Sequence, residues 1–127
     1  MASPHRDIAL DALLHPLAEG ALRWPPAGDA LFLRAREGAA LHAAGTRGFA
    51  CTQPFKPEAD RLQRIGAGLI DEDALPTARY PLVLVLPPRQ REEARALLAR
   101  ACAAVAPGGM VVAAVANDEG AKSRETD

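Results

Sequence analysis

Basic side chains follow three apolar segments of this 127-residue chain, at points where strands are expected to end. They are Arg34, Arg36, Arg89, Arg91, Lys122 and Arg124. In an open parallel sheet the carboxyl ends of the strands meet at one edge, and ligands bind there. Arginine and lysine form charge-assisted hydrogen bonds with phosphate oxygens, which position a nucleic acid without reading its sequence. We therefore expect these groups to share one edge, with nucleic-acid phosphates as a candidate ligand.

The overall charge favours a second interpretation of the same residues. The formal net charge is -1 at pH 7, so the chain lacks the broad positive field of a basic nucleic-acid-binding domain. Any RNA contact must then be local. A solvated rim that binds no ligand stays open as the alternative.

The elements that must position these groups are short strands alternating with helices. In the first half of the chain, strands are predicted at residues 30–34, 48–53 and 67–70, with connecting helices at residues 38–44 and 54–64. The third strand leads into an acidic turn, Asp71-Glu72-Asp73, which we interpret as solvated rather than as a ligand contact. Arg34 and Arg36 would then lie at the end of the first of these strands and just after it.

An amphipathic helix is predicted ahead of the first strand. It is expected to start near Ser3 and Pro4, because proline suits the first turn of a helix. The leucines that recur on one face at helical spacing are Leu10, Leu13, Leu14 and Leu17. Pro16 is expected to bend or end the helix, and Trp24 is expected to anchor the following connection to the core rather than stack on a base.

The strongest pattern is a β-α-β unit in the second half of the chain. Residues 82–86 are uninterruptedly apolar, as in a strand buried on both faces of a parallel sheet. A helix follows whose apolar face is formed by Ala94, Leu97, Leu98, Ala101, Cys102 and Val105. Pro107-Gly108-Gly109 should stop it before a second buried strand at residues 110–116. The chain therefore predicts a doubly wound α/β fold with about five mostly parallel strands and helices on both faces.

Other potentially reactive residues point to no further site. Cys51 and Cys102 lie in apolar contexts without a clustered histidine, which predicts two buried free thiols. No two histidines have the spacing of metal ligands, so no metal is expected. The longest apolar run is far shorter than the roughly 20 residues of a membrane helix, so we expect a cytoplasmic protein with no membrane partner.

Four segments carry a resemblance to a known family. They are residues 71–76 (DEDALP), 80–88 (YPLVLVLPP), 106–110 (APGGM) and 116–123 (ANDEGAKS). In this order the first three resemble the later half of class I S-adenosylmethionine-dependent methyltransferases. The last segment is similar to the end of the N-terminal domain of the ribosomal RNA small subunit methyltransferase C family.

The resemblance implies a role within a longer polypeptide. In that family two methyltransferase-like domains occur in tandem, and the second binds S-adenosylmethionine and methylates a guanine amine. Residues 1–28 would be an N-terminal helix and connection, residues 29–118 the methyltransferase-like domain, and residues 119–127 the start of a linker. The expected partners are the C-terminal catalytic domain of the same polypeptide and ribosomal RNA.

The positions that would serve catalysis in this family are degenerate here. Arg34 and Arg36 stand where the glycine-rich turn should let the cofactor approach, and Gln53 stands where a carboxylate should accept from ribose hydroxyls. Leu86 replaces the asparagine of the Asn-Pro-Pro-aromatic motif, and Arg89 replaces the aromatic residue that stacks on a flipped base. We therefore expect no catalytic residue and no bound cofactor in this chain. A free-standing small methyltransferase and a purely structural interaction module remain as alternatives.

Overall fold

The chain alternates strands and helices in the computed structural model, which describes residues 7–26, 28–43 and 48–114. The elements are helix α1 (Ile8–Ala18), strand β1 (Ala30–Leu33), helix α2 (Ala39–Ala43), strand β2 (Ala50–Thr52), helix α3 (Lys56–Arg64), strand β3 (Gly68–Leu69), a 3-10 turn (Glu72–Ala74), strand β4 (Tyr80–Val85), helix α4 (Arg91–Ala104) and strand β5 (Val105–Ala113).

The five strands form one parallel sheet in the order β3-β2-β1-β4-β5. The chain runs from β1 outward to β2 and β3, and then returns to the other side of β1 for β4. The boundary between β1 and β4 is therefore the switch point, where open sheets of this kind hold their ligands. The predicted α/β architecture is confirmed.

Helices cover both faces of this sheet. Alternate residues of each strand point to opposite sides, so the apolar strands present a hydrophobic surface on each face for helices to pack against. Phe32 and Leu84 lie in the cluster that also contains leucines of α1, α2 and α3. Leu31 and Val83 point the other way, toward Leu97 and the alanines of α4. Continuous apolar runs such as β4 are explained by this burial on two faces.

The first helix differs in its ends from the sequence prediction. Asp7 caps it, since its Oδ1 accepts a hydrogen bond from the Leu10 amide at 3.1 Å. The helix passes through Pro16 and ends at Ala18, so Pro16 does not end it, and a bend at Pro16 stays a prediction. All four predicted leucines are buried. The predicted start at Ser3 and Pro4 lies outside the described residues.

Strand β5 is not the buried strand that its apolar sequence predicted. It lies at an edge of the sheet, and its side chains are exposed or half-buried, with Met110 49% exposed. Val105, predicted on the helix, is the first residue of this strand. Pro107-Gly108-Gly109 forms an irregularity inside β5, where the pairing with β4 jumps from Tyr80↔Val105 to Leu82↔Met110. A Cβ at Gly109 would lie 2.8 Å from the Pro81 carbonyl oxygen, so the close approach of the two backbones requires glycine.

Two smaller predictions had mixed outcomes. Cys51 is buried in β2, as predicted, but Cys102 is exposed on α4 because it lies beside the buried stripe of that helix. Trp24 stacks on Phe49 with a centroid distance of 6.1 Å, which confirms that it anchors its connection to the core. Within residues 7–26, 28–43 and 48–114, no helix has the length and apolar character needed to cross a membrane.

Candidate functional site at the carboxyl edge of the sheet

The turn after β1 holds its shape through an unusual backbone conformation. Arg34 has a φ of 60°, in the left-handed region that normally favours glycine. Its amide donates to the Thr52 hydroxyl at 3.0 Å, which ties the ends of β1 and β2 together. The position therefore keeps the backbone conformation of a glycine turn but adds a long cationic side chain.

The guanidinium of Arg34 lies across the switch point. Its Nε donates to Oε2 of Glu72 at 2.9 Å, and its Nη2 donates to Oε1 at 3.0 Å. A third, longer contact of 3.5 Å joins Nη1 to Glu93 on α4. Since Glu72 follows β3 and Glu93 follows β4, one side chain bridges both sides of β1. The Arg34 and Glu72 side chains are each 21% exposed, so this bidentate pair is largely withdrawn from water.

Thr52 completes this group as a buried polar residue. Its hydroxyl accepts from the Arg34 amide and donates to Glu72 Oε2 at 3.0 Å, so its hydrogen-bonding capacity is used inside the chain. The hydrogen bonds from Arg34 are the main reason that the pKa of Glu72 is lowered, against the opposing effect of burial. Glu72 is therefore ionised at neutral pH, and both of its carboxylate oxygens accept hydrogen bonds from Arg34.

Arg36 is held in a second ion pair on the same loop. Its Nε donates to Oδ2 of Asp7 at 2.6 Å and its Nη2 donates to Oδ1 at 2.9 Å. Asp7 is also the cap of α1, so the pair fixes the loop after β1 to the start of that helix. The hydrogen bonds from Arg36 lower the pKa of Asp7, which keeps this carboxylate charged.

The loop after β2 is joined to the loop after β1. Gln53 donates from Nε2 to the Ala35 carbonyl oxygen at 2.7 Å and accepts from the Phe55 amide at 3.0 Å through Oε1. The Glu58 carboxylate accepts from the Glu37 amide at 2.8 Å. Both functional groups of Gln53 are therefore engaged with backbone atoms.

The turn after β4 is built differently. Leu86 is buried, and its amide donates to the Leu33 carbonyl oxygen. Gln90 caps α4 by accepting from the Glu93 amide at 2.6 Å. Arg89 and Arg91 flank this cap and are exposed. Arg91 has no ion pair or hydrogen bond with other described residues.

The predicted basic edge therefore divides in two. Arg34 and Arg36 follow β1, Arg89 and Arg91 follow β4, and all four lie where the strands end. The first two are half-buried and bind carboxylates of the chain itself, whereas the second two are exposed. Lys122 and Arg124 lie outside the described residues.

Two relevant residues were missed by the sequence analysis. Glu72 was placed in a solvated acidic turn, yet it is the main partner of Arg34, 38 residues away in the chain. Its neighbours do form the expected exposed turn, in which Asp73 contacts Arg100. Arg95 is exposed one helical turn after Arg91, and the four-residue spacing of the two arginines was the available signal.

The groups at the switch point already have partners within the chain. The turn after β1 carries a long cationic side chain instead of a glycine-rich loop, and its guanidinium is bound to Glu72. The acceptor expected at the end of β2 is a neutral amide whose groups are already bonded. No group of three or more His, Cys, Asp or Glu side chains in the described part of the chain is arranged to hold a metal ion.

No known protein family and no curated protein matches this chain. Solved structures do match. The DhpI-SAM-HEP complex is 23% identical, with a TM-score of 0.54 over 89% of this chain and 59% of that one. The T. thermophilus 16S rRNA N2 G1207 methyltransferase (RsmC), in complex with AdoMet and guanosine, is 16% identical, with a TM-score of 0.62 over 91% of this chain and 32% of that one.

These similarities concern the fold. They confirm the predicted Rossmann-like methyltransferase fold, with its parallel sheet and helices on both faces. The chain spans 59% and 32% of the two matched structures, so each of them contains substantial chain that has no counterpart here.

Proposed function

We propose that this chain is a non-catalytic, N-terminal methyltransferase-like domain of a cytoplasmic, S-adenosylmethionine-dependent ribosomal RNA guanine-N2 methyltransferase. Its partner is a catalytic C-terminal domain of the same polypeptide, and it assists that domain in binding RNA. The observation that carries this proposal is the Arg34–Glu72 pair, which closes the switch point where a catalytic domain must admit its cofactor.

The turn after β4 supports the role in RNA binding. Arg91 is the first residue of α4, where the positive end of the helix dipole disfavours a cation. Arg89 lies two residues before it and Arg95 one turn after it, and all three are exposed. Helix stability does not account for a cation at this position, whereas phosphate contacts do.

A structural role is the second candidate, and strand β5 favours it. Nine residues of this edge strand carry no charged side chain, although exposed edges are usually protected by charge or covered by another segment. On this hypothesis the domain packs against the catalytic domain and stabilises it without contacting RNA.

Calorimetry tests the non-catalytic assignment. We expect this chain to show no saturable binding of S-adenosylmethionine at concentrations up to about 1 mM. Any binding would then have a free energy weaker than roughly -4 kcal/mol. The complete polypeptide that contains the chain should bind the cofactor at one site. Micromolar affinity in this chain alone would refute the assignment and favour a free-standing methyltransferase.

The coding sequence beyond Asp127 provides a second test of the assignment. It should encode a domain with a glycine-rich turn after its first strand and an intact Asn-Pro-Pro-aromatic motif, because the proposed chemistry needs both. A stop codon at this point would contradict the proposed domain pair.

Charge reversal tests the role in RNA binding. In the complete polypeptide, Arg89→Glu with Arg91→Glu should weaken RNA binding and reduce the salt slope by about 1 for each phosphate that the protein no longer neutralises. Arg64→Glu serves as a control. Arg64 is exposed at the last residue of α3, a helix that begins at the carboxyl edge and runs away from it. Equal RNA affinity in the double variant and the control would leave only the structural role.

A further inference from the structure

An exposed, largely apolar segment lies at the carboxyl edge, directly after β2 and Gln53. It consists of residues 54–57, Pro-Phe-Lys-Pro, all of which are exposed, and Phe55 at its centre is 63% exposed. The other aromatic side chains are buried or packed in the core. These are Trp24, Phe32, Phe49 and Tyr80. Among the described phenylalanine, tyrosine and tryptophan side chains, Phe55 is thus the only one that is mostly exposed.

The backbone that carries Phe55 is fixed on both sides. The Gln53 side chain accepts from the Phe55 amide and also donates to Ala35, so it braces the residue against the neighbouring loop. On the other side, the Phe55 carbonyl oxygen accepts from the Ala59 amide as α3 begins. Pro54 and Pro57 restrict the backbone further. A ring held in this way loses little conformational freedom when it is buried by a partner.

The charges around Phe55 argue against a nucleic acid as that partner. Lys56 pairs with Asp60 at 3.0 Å, and Arg61 pairs with Glu58 at 2.7 Å, so each cation beside the ring already has a carboxylate. Platforms that stack nucleic-acid bases combine aromatic rings with a positively charged groove. The surroundings of Phe55 are close to neutral and suit a protein pocket instead.

We propose that Phe55 is the anchor through which this domain docks into an apolar pocket of the catalytic methyltransferase domain. The inference rests on the proposed function, which supplies that domain. Aromatic residues, phenylalanine among them, are enriched in protein interfaces, and a few well-packed residues near the centre carry most of the binding energy. The chain also spans only 32% of the similar T. thermophilus structure, so a polypeptide of that size has ample chain for such a partner.

Site-specific photocrosslinking tests the docking directly. In the complete polypeptide with RNA present, Phe55 is replaced by p-benzoyl-phenylalanine, and Ile8, which is 58% exposed on α1, is replaced in a matched control. We expect an intramolecular crosslink from position 55 to apolar residues of the catalytic domain, and none from position 8. Crosslinks to RNA, crosslinks to a second copy of the chain, or no crosslink from position 55 would each overturn the proposal.

Phe55→Ser and Ile8→Ser provide the energetic counterpart. Because Phe55 lies outside the core, its replacement should leave the fold intact but lower the melting temperature of the coupled domains by about 4 °C or more, as expected when an anchor is removed. Ile8→Ser should shift it by less than about 1 °C. Equal shifts in the two variants would refute the docking role.

The two hypotheses fail in different ways. If the complete polypeptide contains no catalytic methyltransferase domain, the proposed function and the docking both fail. If that domain is present and binds the cofactor, but position 55 crosslinks elsewhere, only the docking fails.

Discussion

The ends of β1 and β4 lie side by side in the sheet, and both are followed by arginines, yet they differ in what those arginines do. After β1, Arg34 binds Glu72 and Arg36 binds Asp7, so positive charge is used to close the fold. After β4, Arg89 and Arg91 project into solvent around a helix cap that Gln90 provides. The same residue type at the same edge is half-buried against a carboxylate in one place and exposed in the other.

The largest expected effect is a loss of stability at the end of β1, where Arg34 binds Glu72. Arg34→Ala should lower the free energy of unfolding by about 2 kcal/mol, because it leaves the Glu72 carboxylate half-buried without its cation. Arg34→Gly should cost roughly 1 kcal/mol less, since glycine accepts the positive φ. Urea unfolding measures both, with Arg91→Ala as the control. A loss in Arg91→Ala equal to that in Arg34→Ala would remove the contrast between the two ends.

Thr52 should show the next largest effect. Thr52→Val keeps the shape of the side chain but removes the acceptor of the Arg34 amide and one donor to Glu72. We expect urea unfolding to show a free energy of unfolding lower by about 1.5 kcal/mol, because the partly buried Arg34 amide loses its acceptor. Thr52→Ser retains the hydroxyl and serves as the control. Equal losses in the two variants would show that the methyl group, and not the hydroxyl, stabilises this corner.

Acid should reduce the stabilisation that the Arg34–Glu72 pair provides. The pKa of Glu72 lies below its ordinary value of 4.5 in the folded protein, so the unfolded chain binds the proton first as pH falls. The stabilisation is therefore complete above that value and is lost as pH falls through the lowered pKa. We expect Glu72→Gln to reduce the loss of stability as the pH falls from about 6 to about 3.

Thermal unfolding across this pH range measures the effect. Arg34→Ala should flatten the same profile, because it removes the main cause of the lowered pKa of Glu72. An acid dependence unchanged in both variants would contradict a stabilising role for the pair.

The smallest effect on stability, and one of opposite sign, is expected after β4, at Arg91. Arg91→Glu should raise the free energy of unfolding by about 0.3 kcal/mol, since an anion suits the first turn of α4 better than a cation does. The same variant should weaken RNA binding by the complete polypeptide. Urea unfolding and a binding titration on one preparation test both statements. A loss of stability above about 1 kcal/mol would assign Arg91 to the fold instead.

Much of the architecture could be predicted from the sequence because apolar runs and turn residues are local signals. The runs that became β1 and β4 lie at the centre of the sheet and are buried on both faces, as their composition indicated. The run in β5 is equally apolar but lies at an edge. Strand order depends on how the chain crosses over the sheet, which the composition of one strand does not encode.

The site was less predictable for the same reason. The sequence located the arginines and the degenerate positions, but whether Arg34 binds a ligand or the chain itself depends on Glu72, which is distant in sequence. Only the arrangement of β1, β2 and β3 brings Glu72, Thr52 and Arg34 together. The bracing of Phe55 by Gln53 likewise depends on a loop from another strand.

The unequal exposure of the two cysteines makes the protein ready for site-specific labelling. Burial raises the pKa of the Cys51 thiol to about 12, so at neutral pH it offers almost no thiolate to a maleimide. Cys102 is exposed on α4, the helix that begins at Arg91. A single fluorophore can therefore be attached near the last turn of this helix without substituting any residue.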